Sequence, residues 1–178
     1  MRCFSAPSHA LKIIQEKYGT NYITVSLRTN RFQPLRNSNI ESWSDVCDYI
    51  ASKGFQPIII PDFEDYFAEK SFKLINHPVA FEAIFDLALR VALYEKAKYN
   101  LGVSNGTVAL FWHSKVPYSV FKIVTPGINN SSAEYWKEKC DVDFGENFWF
   151  MGQNQHLLWT DDSKDIIFAH LEHVLNKP

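Results

Sequence analysis

Apolar and polar positions alternate along this chain in two different periods, which predict strands and helices in turn. Residues 22–27 (YITVSL) and 56–61 (QPIIIP) are rich in β-branched or aromatic side chains, and we expect a strand in each. After Gln56 the second of them is wholly apolar, which is typical of a strand buried on both faces of a parallel sheet. Between them, residues 38–52 place apolar side chains at three- and four-residue steps, which predicts an amphipathic helix that ends before Gly54.

The same alternation continues through the rest of the chain. Further helices are predicted over residues 8–18, 81–97, 107–113 and 165–176, and further strands over residues 72–75, 99–103 and 118–124. Residues 126–160 are polar and aromatic without a clear period, and no element is assigned to them. Strands that alternate with helices are typical of an α/β fold with a mainly parallel sheet. Such sheets bind ligands in a crevice at the carboxyl ends of their strands.

Composition narrows the class of protein further. The 178 residues suit one domain, and 46% hydrophobic with 21% charged residues is an ordinary globular mixture. The net charge of −2 lacks the basic excess of duplex-binding proteins, so no nucleic acid is expected as a partner. Cys3, Cys47 and Cys140 form no CxxC pair, so neither a zinc ribbon nor a disulfide framework is indicated. With no signal peptide and no apolar run near the roughly 20 residues that span a bilayer, we predict a cytoplasmic protein without a transmembrane segment.

The first candidate site is the polar stretch that follows the first predicted strand. Arg28, Arg31 and Arg36 fall within nine positions there, and guanidinium groups bind phosphate through two parallel hydrogen bonds. Asn37 then begins a polar run before a helix whose first amides attract anions. The alternative is a solvated loop whose arginines pair with surface carboxylates.

The second candidate is the turn after the predicted strand 99–103. Ser104, Asn105, Gly106 and Thr107 lead from that strand into a helix, and such a junction directs free amides into the crevice. Gly106 would permit close approach of a phosphate or a sugar to the backbone. The alternative is structural: Ser104 or Asn105 caps the helix and Gly106 relieves a tight turn.

Other polar and aromatic groups have mainly structural interpretations. Asp62 stands at a strand end, where a ligand hydroxyl is one possible partner, but a solvated, acidic helix start is the favoured interpretation. His170 and His173 lie three residues apart without a third ligand nearby, so no metal site is predicted. The sequence contains no dinucleotide fingerprint, P-loop or serine-hydrolase elbow. Aromatic side chains able to stack on a base or sugar are expected mostly in the core: Phe148, Trp149, Phe150 and Trp159.

The segment 95–124 (EKAKYNLGVSNGTVALFWHSKVPYSVFKIV) resembles the donor-binding stretch of GT-B glycosyltransferases, especially the heptosyltransferase-like and fucosyltransferase-like groups. In that family a helix leads into a short strand, then into an Asp-Ser-Gly turn, a helix, a loop with proline and another strand. Here the turn is Ser104-Asn105-Gly106, and residues 113–117 form the loop. Residues 23–28 resemble the first strand of the family's C-terminal domain, and residues 159–163 resemble its ending, so the likeness covers roughly residues 20–175.

The resemblance implies a Rossmann-like three-layer domain, one half of a GT-B fold. Residues 21–178 would form this single donor-binding domain, and residues 1–20 a helical connection from the other half. A nucleotide sugar would bind as substrate, with no cofactor, its diphosphate lying between Arg28 and residues 104–107. Arg31, Arg36, Asn37 and Asp62 are further candidates. Because a GT-B enzyme has two such domains around its active site, an N-terminal acceptor-binding domain or a partner chain is also implied.

Three hypotheses follow from the sequence. The first is a glycosyltransferase or its donor-binding half, the second a non-catalytic phosphate-binding module, and the third a Rossmann-like protein with an unrelated ligand. The family's Asp-Ser-Gly turn is altered here, and its following histidine is replaced by Ala109, so no sugar is implied. The catalytic residues are left unassigned.

Overall fold

The structure of the protein is a computed structural model that describes residues 4–68 and 76–175. The predicted strand 72–75 lies outside these residues. Five strands are β1 (Tyr22–Ser26), β2 (Gln56–Ile60), β3 (Tyr99–Val103), β4 (Tyr118–Phe121) and β5 (Gln155–Leu157). They form one sheet in the order β2-β1-β3-β4-β5, and each neighbouring pair is parallel. The predicted α/β class with a mainly parallel sheet is therefore confirmed.

Helices cover both faces of this sheet. Their bounds are α1 (Ser8–Tyr18), α2 (Ile40–Ser52), α3 (Phe63–Ala68), α4 (Glu82–Phe85), α5 (Leu87–Lys96), α6 (Ala109–Trp112), α7 (Ala133–Cys140) and α8 (Lys164–Leu175). Successive strand residues point to opposite faces, so Tyr22 packs in a core with α1 and α5, and Ile23 packs in a core with α2 and α8. This gives the three layers expected of a Rossmann-like domain. No described helix is both long and apolar enough to cross a membrane.

The first helix belongs to the same packed unit. Ala10 and Ile14 of α1 are fully buried in the core shared with α5. Upstream of the helix, the backbone amide of Ala6 donates to Glu95 Oε1 at 2.8 Å. The predicted helix 8–18 is confirmed with the same bounds.

The structure differs from the sequence prediction most clearly in three parts of the chain. The helix predicted over residues 81–97 is interrupted at Asp86, whose backbone is extended. The side-chain Oδ1 of Asp86 accepts from the amide of Leu89 at 3.0 Å and so caps the start of α5. The strand predicted over residues 118–124 ends at Phe121, because Lys122 takes a left-handed conformation with φ of 57°. The unassigned stretch 126–160 contains α7 and β5, and β5 is too short at three residues to show a period.

The strand order creates a switch point between β1 and β3. The chain leaves β1 toward β2 on one side and then crosses to β3 on the other, so the connections diverge and open a crevice at the carboxyl ends. Gly102 lies at this point. A Cβ on it would stand 3.0 Å from Val108 Cγ1 and 3.2 Å from Ser26 Cβ, so the backbone packs closely only because the residue is glycine.

Candidate functional site

A cleft of about 270 Å³ opens beside this switch point, bounded by residues that follow β1, β2 and β3. Six of the nine candidate residues line it: Arg28, Arg36, Asp62, Asn105, Gly106 and Thr107. The two stretches that the sequence singled out thus meet in one cleft, because carboxyl ends of adjacent parallel strands lie at the same edge of a sheet.

Arg36 joins the two stretches directly. Its Nη2 donates to the carbonyl oxygen of Ser104 at 3.1 Å, and its Nη1 donates to Gln33 Oε1 at 3.1 Å. Its Nε is buried and has no hydrogen-bond partner among the described residues. Burial lowers the pKa of Arg36, which expresses the cost of removing a cation from water. Arg36 therefore has a charge and a donor to offer a ligand.

Arg28 holds its own loop together. Its Nη2 donates to the carbonyl oxygen of Phe32 at 2.7 Å, and its Nη1 donates to that of Gln33 at 3.1 Å and also to Asn37 Oδ1. Burial, followed by the nearby charge of Arg36, lowers the pKa of Arg28. Its bonded partners are neutral oxygens, which satisfy hydrogen bonds without neutralising the charge.

Of the three loop arginines, only Arg31 forms an ion pair at the surface among the described residues. Its side chain is 92% exposed, and Nε lies 3.9 Å from Glu64 Oε2. Within the described chain, no ion pair of 4 Å or less joins Arg28 or Arg36 to a carboxylate. Arg31 therefore fits the alternative of a solvated arginine that pairs with a surface carboxylate, whereas Arg28 and Arg36 line the cleft.

Asn37 and Ser104 lie outside the cleft lining and shape its walls. The Asn37 side chain donates to the carbonyl oxygen of Asn30 at 3.0 Å and accepts from the amide of Asn30 at 3.0 Å. Ser104 is buried, and it contributes to the junction through the carbonyl that accepts from Arg36. Both residues support the geometry of the arginines.

The turn after β3 differs from the expectation of free amides. Asn105 Oδ1 accepts from the amide of Thr107 at 2.9 Å and from that of Val108 at 3.0 Å. The helix that follows, α6, has only four residues. Asn105 therefore caps this turn, as the structural alternative held. A Cβ on Gly106 would meet nothing within 4 Å, so the backbone there is open to a ligand.

Asp62 combines a structural contact with a place in the cleft. Its Oδ1 accepts from the amide of Phe63 at 2.7 Å, and its Oδ2 accepts from the amide of Thr29 at 3.3 Å. The carboxylate therefore links the ends of β2 and β1. Its remaining acceptor capacity would suit a ligand hydroxyl.

Sequence reasoning missed Arg90, which lines the cleft from α5 and is only 5% exposed. A signal was available: Arg90 interrupts the apolar run Leu-Ala-Leu-Arg-Val-Ala-Leu on a helix predicted to be buried. Charged residues are rarely buried in such runs unless they are paired or functional. Phe32 and Phe63 were also missed, and both add exposed aromatic rings to the lining.

The other candidates stay apart from the cleft. No group of three or more metal-ligating side chains occurs among the residues described by the structure. His170 Nε2 contacts Ser119 Oγ at 2.5 Å, while His173 is exposed. Phe148 and Trp159 are buried in the core and Phe150 packs against it, as expected for most of this group, whereas Trp149 is 89% exposed.

No family model and no curated protein sequence matches the chain. Solved structures do match it. A glycosyl transferase family 9 protein from Veillonella parvula aligns with a TM-score of 0.64 and 13% identity, over 97% of this chain and 53% of that chain. ADP-heptose LPS heptosyltransferase II from E. coli aligns with a TM-score of 0.61 and 10% identity, over 97% of this chain and 53% of its own.

A third match is UDP-GlcNAc 2-epimerase from Methanocaldococcus jannaschii, solved in complex with UDP-GlcNAc and UDP. Its TM-score is 0.56 at 16% identity, over 97% of this chain and 43% of that chain. The chain spans about half the length of the solved structures it matches. At these identities the likeness concerns the fold, and it confirms that this chain has the α/β fold of one half of GT-B-like structures.

Proposed function

We propose that this chain is the sugar-nucleotide-binding domain of a glycosyltransferase and that its cleft binds the donor's diphosphate. The observation that carries the proposal is the pair of cations, buried Arg28 and half-buried Arg36, that line the cleft with the turn at residues 104–107 and have no carboxylate within 4 Å in the described chain. A buried charge without a counter-ion is unfavourable, and an anionic ligand would relieve that cost. Diphosphate is the anion that bidentate guanidinium groups suit.

The same cleft has places for the rest of a nucleotide sugar. Phe32 and Phe63 offer exposed ring faces on which a base can stack, and Asp62 can accept a hydrogen bond from a ribose or sugar hydroxyl. When the bond from the sugar to the diphosphate breaks, negative charge grows on the leaving oxygen. Arg28 and Arg36 would stabilise that charge because they are already held in place by loop contacts.

A second domain would complete the reaction. The chain spans about half the length of the transferases whose fold it shares, so we assign the acceptor and the group that activates it to a domain beyond this one. The same length ratio favours the second candidate, a non-catalytic nucleotide- or phosphate-binding α/β module. Binding is common to both candidates, and only transfer in the presence of a second domain separates them.

Calorimetric titration of the full 178-residue chain with nucleoside diphosphates and nucleotide sugars tests the shared claim. We expect one nucleotide to bind and Arg36→Gln to weaken that binding about 10- to 100-fold, the range for hydrogen bonds to charged groups. Arg31→Gln is the matched control: it removes the same charge from the same loop at an exposed position, and binding is expected to persist.

Two results would contradict the proposal. One is the absence of binding by every nucleotide at millimolar concentration. The other is an equal loss in Arg31→Gln and Arg36→Gln, since that pattern indicates general attraction of anions by a basic loop and not a specific cleft.

A further inference from the structure

A third arginine reaches the cleft from an element that neither sequence stretch contains. Arg90 lies in α5 and is almost fully buried, yet it lines the cleft with Arg28 and Arg36. The chain brings it there through the crossover between β2 and β3, because α5 precedes β3 and packs on the sheet face near the switch point.

The Arg90 guanidinium is held by two contacts. Its Nε donates to the carbonyl oxygen of Ala83 on α4 at 2.5 Å. It also hydrogen-bonds to Tyr94, whose hydroxyl lies 3.1 Å from Ser26 Oγ at the end of β1. These contacts tie the guanidinium to both α4 and the central strand, so its position is set before any ligand arrives.

Neither contact supplies a negative charge. Ala83 offers a carbonyl oxygen, and burial raises the pKa of the Tyr94 phenol, which therefore stays neutral. Among the described residues, no carboxylate lies within 4 Å of Arg90 as an ion-pair partner. The charge of Arg90 is thus buried and uncompensated, a state that proteins avoid unless a ligand uses it.

The spread of the cations over separate elements suits a diphosphate. Three guanidiniums and the single carboxylate of Asp62 line the cleft, which leaves two positive charges in excess. A monophosphate ester carries roughly −1.5 to −2 at pH 7 as well, so total charge does not distinguish the two ligands. A diphosphate differs because it presents the oxygens of two phosphates, which can bridge arginines on different elements. A third cation on a different element therefore favours the longer anion.

We infer that Arg90 is a binding residue that gives the cleft its preference for a diphosphate over a monophosphate. The inference rests on the proposed function, since it concerns the same site. Arg28 and Arg36 would bind either kind of ligand, and Arg90 would add its hydrogen bonds when a second phosphate is present.

The test is the ratio of two dissociation constants, measured by calorimetry for the nucleoside monophosphate and diphosphate of the base that binds best. In the unaltered chain we expect the diphosphate to bind more tightly. Arg90→Gln is expected to lower that preference at least about tenfold while monophosphate binding changes little. Arg31→Gln, which removes an exposed charge outside the cleft, is expected to keep the preference.

A purely structural Arg90 would behave differently. Its loss would weaken both nucleotides by the same factor or leave both unchanged, and either result in a folded Arg90→Gln protein overturns the inference. Arg90→Met is the second variant if Arg90→Gln does not fold, because methionine fits the apolar surroundings of α5 and removes the buried charge. The same loss of preference is expected from it, and an unaltered preference counts against Arg90 equally.

The outcomes separate this inference from the proposed function. Diphosphate binding that depends on Arg36 but not on Arg90 would sustain the donor site and reject the role of Arg90. If no nucleotide binds but inorganic pyrophosphate is preferred to phosphate through Arg90, the residue selects diphosphate and the nucleotide proposal fails. If neither nucleotides nor pyrophosphate bind, both are rejected.

Discussion

Two sets of cations that are partly or fully buried lie at the carboxyl edge of the sheet, and their surroundings differ. Lys122, directly after β4, lies 3.2 Å from Asp162 Oδ1 and donates to the carbonyl oxygen of Asn37 at 2.8 Å. Arg28 and Arg36 line the cleft after β1, and the hydrogen-bond partners of their side chains there are neutral oxygens. The lysine therefore contacts its counter-ion, whereas neither arginine has a carboxylate within 4 Å in the described chain, and the charges of Asp62 and Glu64 act on Arg28 only from farther away.

The Asp162 carboxylate also serves the backbone. It is fully buried, and its Oδ2 accepts from the amide of Asn39 at 2.8 Å and from Trp43 Nε1 at 2.9 Å. These contacts bind the end of β4 to the start of α2. The comparison teaches that burial of a charge does not by itself indicate a ligand. A buried charge with an internal partner holds the fold, and one without a partner is available for binding.

The largest expected effect comes from breaking the ion pair between Lys122 and Asp162. Asp162→Asn would leave the largely buried Lys122 without its fully buried counter-charge and would weaken the acceptor for Asn39 and Trp43. We expect a loss of about 3–5 kcal/mol in the free energy of unfolding, the usual result of removing one partner of a buried pair. Chemical denaturation with fluorescence detection measures it.

The neighbouring carboxylate is the control for that substitution. Asp161 lies 3.5 Å from Lys122, but its side chain is 71% exposed. Asp161→Asn is expected to cost no more than about 1 kcal/mol. Equal losses in the two variants would contradict the distinction between a buried and an exposed partner.

Arg28→Ala tests the cleft, where the arginines have no carboxylate in contact. Removal of the guanidinium leaves the carbonyl oxygens of Phe32 and Gln33 without their donor, so we expect a loss of about 1–3 kcal/mol in unfolding free energy. Ligand affinity is expected to fall as well. Arg36→Gln is expected to lower affinity with a smaller loss of stability, because Arg36 has a buried Nε without a partner. Thermal unfolding of both variants measures how far each arginine stabilises the loop, and calorimetric titration measures how far each contributes to ligand binding. A larger loss of stability for Arg36→Gln than for Arg28→Ala would contradict the assignment of Arg28 as the arginine that holds the loop.

Gly102→Ala tests the close packing of β3 at the switch point beside the cleft. The new methyl group would stand 3.0 Å from Val108 Cγ1, and we expect a cost of about 1–3 kcal/mol in unfolding free energy from overpacking. Gly106→Ala is the matched control, because its methyl group would meet nothing within 4 Å and its stability is expected to change by less than about 0.5 kcal/mol. Denaturation curves of the two variants decide the point. A stable Gly102→Ala protein would show that the switch point tolerates more volume than the contacts indicate.

The smallest effect is expected at an exposed ion pair. Partial burial opposes ionisation of Glu82, but hydrogen bonds from Lys17 at 2.8 Å and Tyr18 at 2.7 Å outweigh it and lower the pKa of that carboxyl. A carboxyl with a lowered pKa stabilises the fold above its unfolded pKa of about 4.3, and this contribution is lost as the pH falls through the folded value. Glu82→Gln is expected to cost about 0.2–1 kcal/mol at pH 7 and less at pH 3. Urea denaturation at both pH values measures the difference, and a larger cost at pH 3 would contradict this sign.

The sequence predicted much of the fold because its signals are local. The strands β1, β2 and β3 lie where β-branched or apolar runs predicted them, and the polar residues that follow these strands supply six residues of the cleft. The interruption at Asp86 and the strand β5 were missed for local reasons too. A helix period continues through a capping aspartate, and three residues are too few to show alternation.

The choice between Arg31 and Arg36 was beyond sequence reasoning. Both are arginines on the same polar loop after β1. In the structure Gln33 takes a left-handed conformation with φ of 54°, and a 3₁₀ turn follows at Pro34–Arg36. This turn brings Arg36 to the carbonyl of Ser104, and Arg31 remains in solvent.

By itself the sequence determined the α/β class, the edge of the sheet where chemistry would lie, and two of the polar stretches that meet there. It could do so because hydrophobic periodicity and the residues at strand ends depend on neighbours in the chain. Only the tertiary structure decided which buried charges acquire a counter-ion. Lys122 meets Asp162, and Arg90 reaches the cleft of Arg28, through contacts between elements far apart in sequence, and Coulomb energy depends on distance in space.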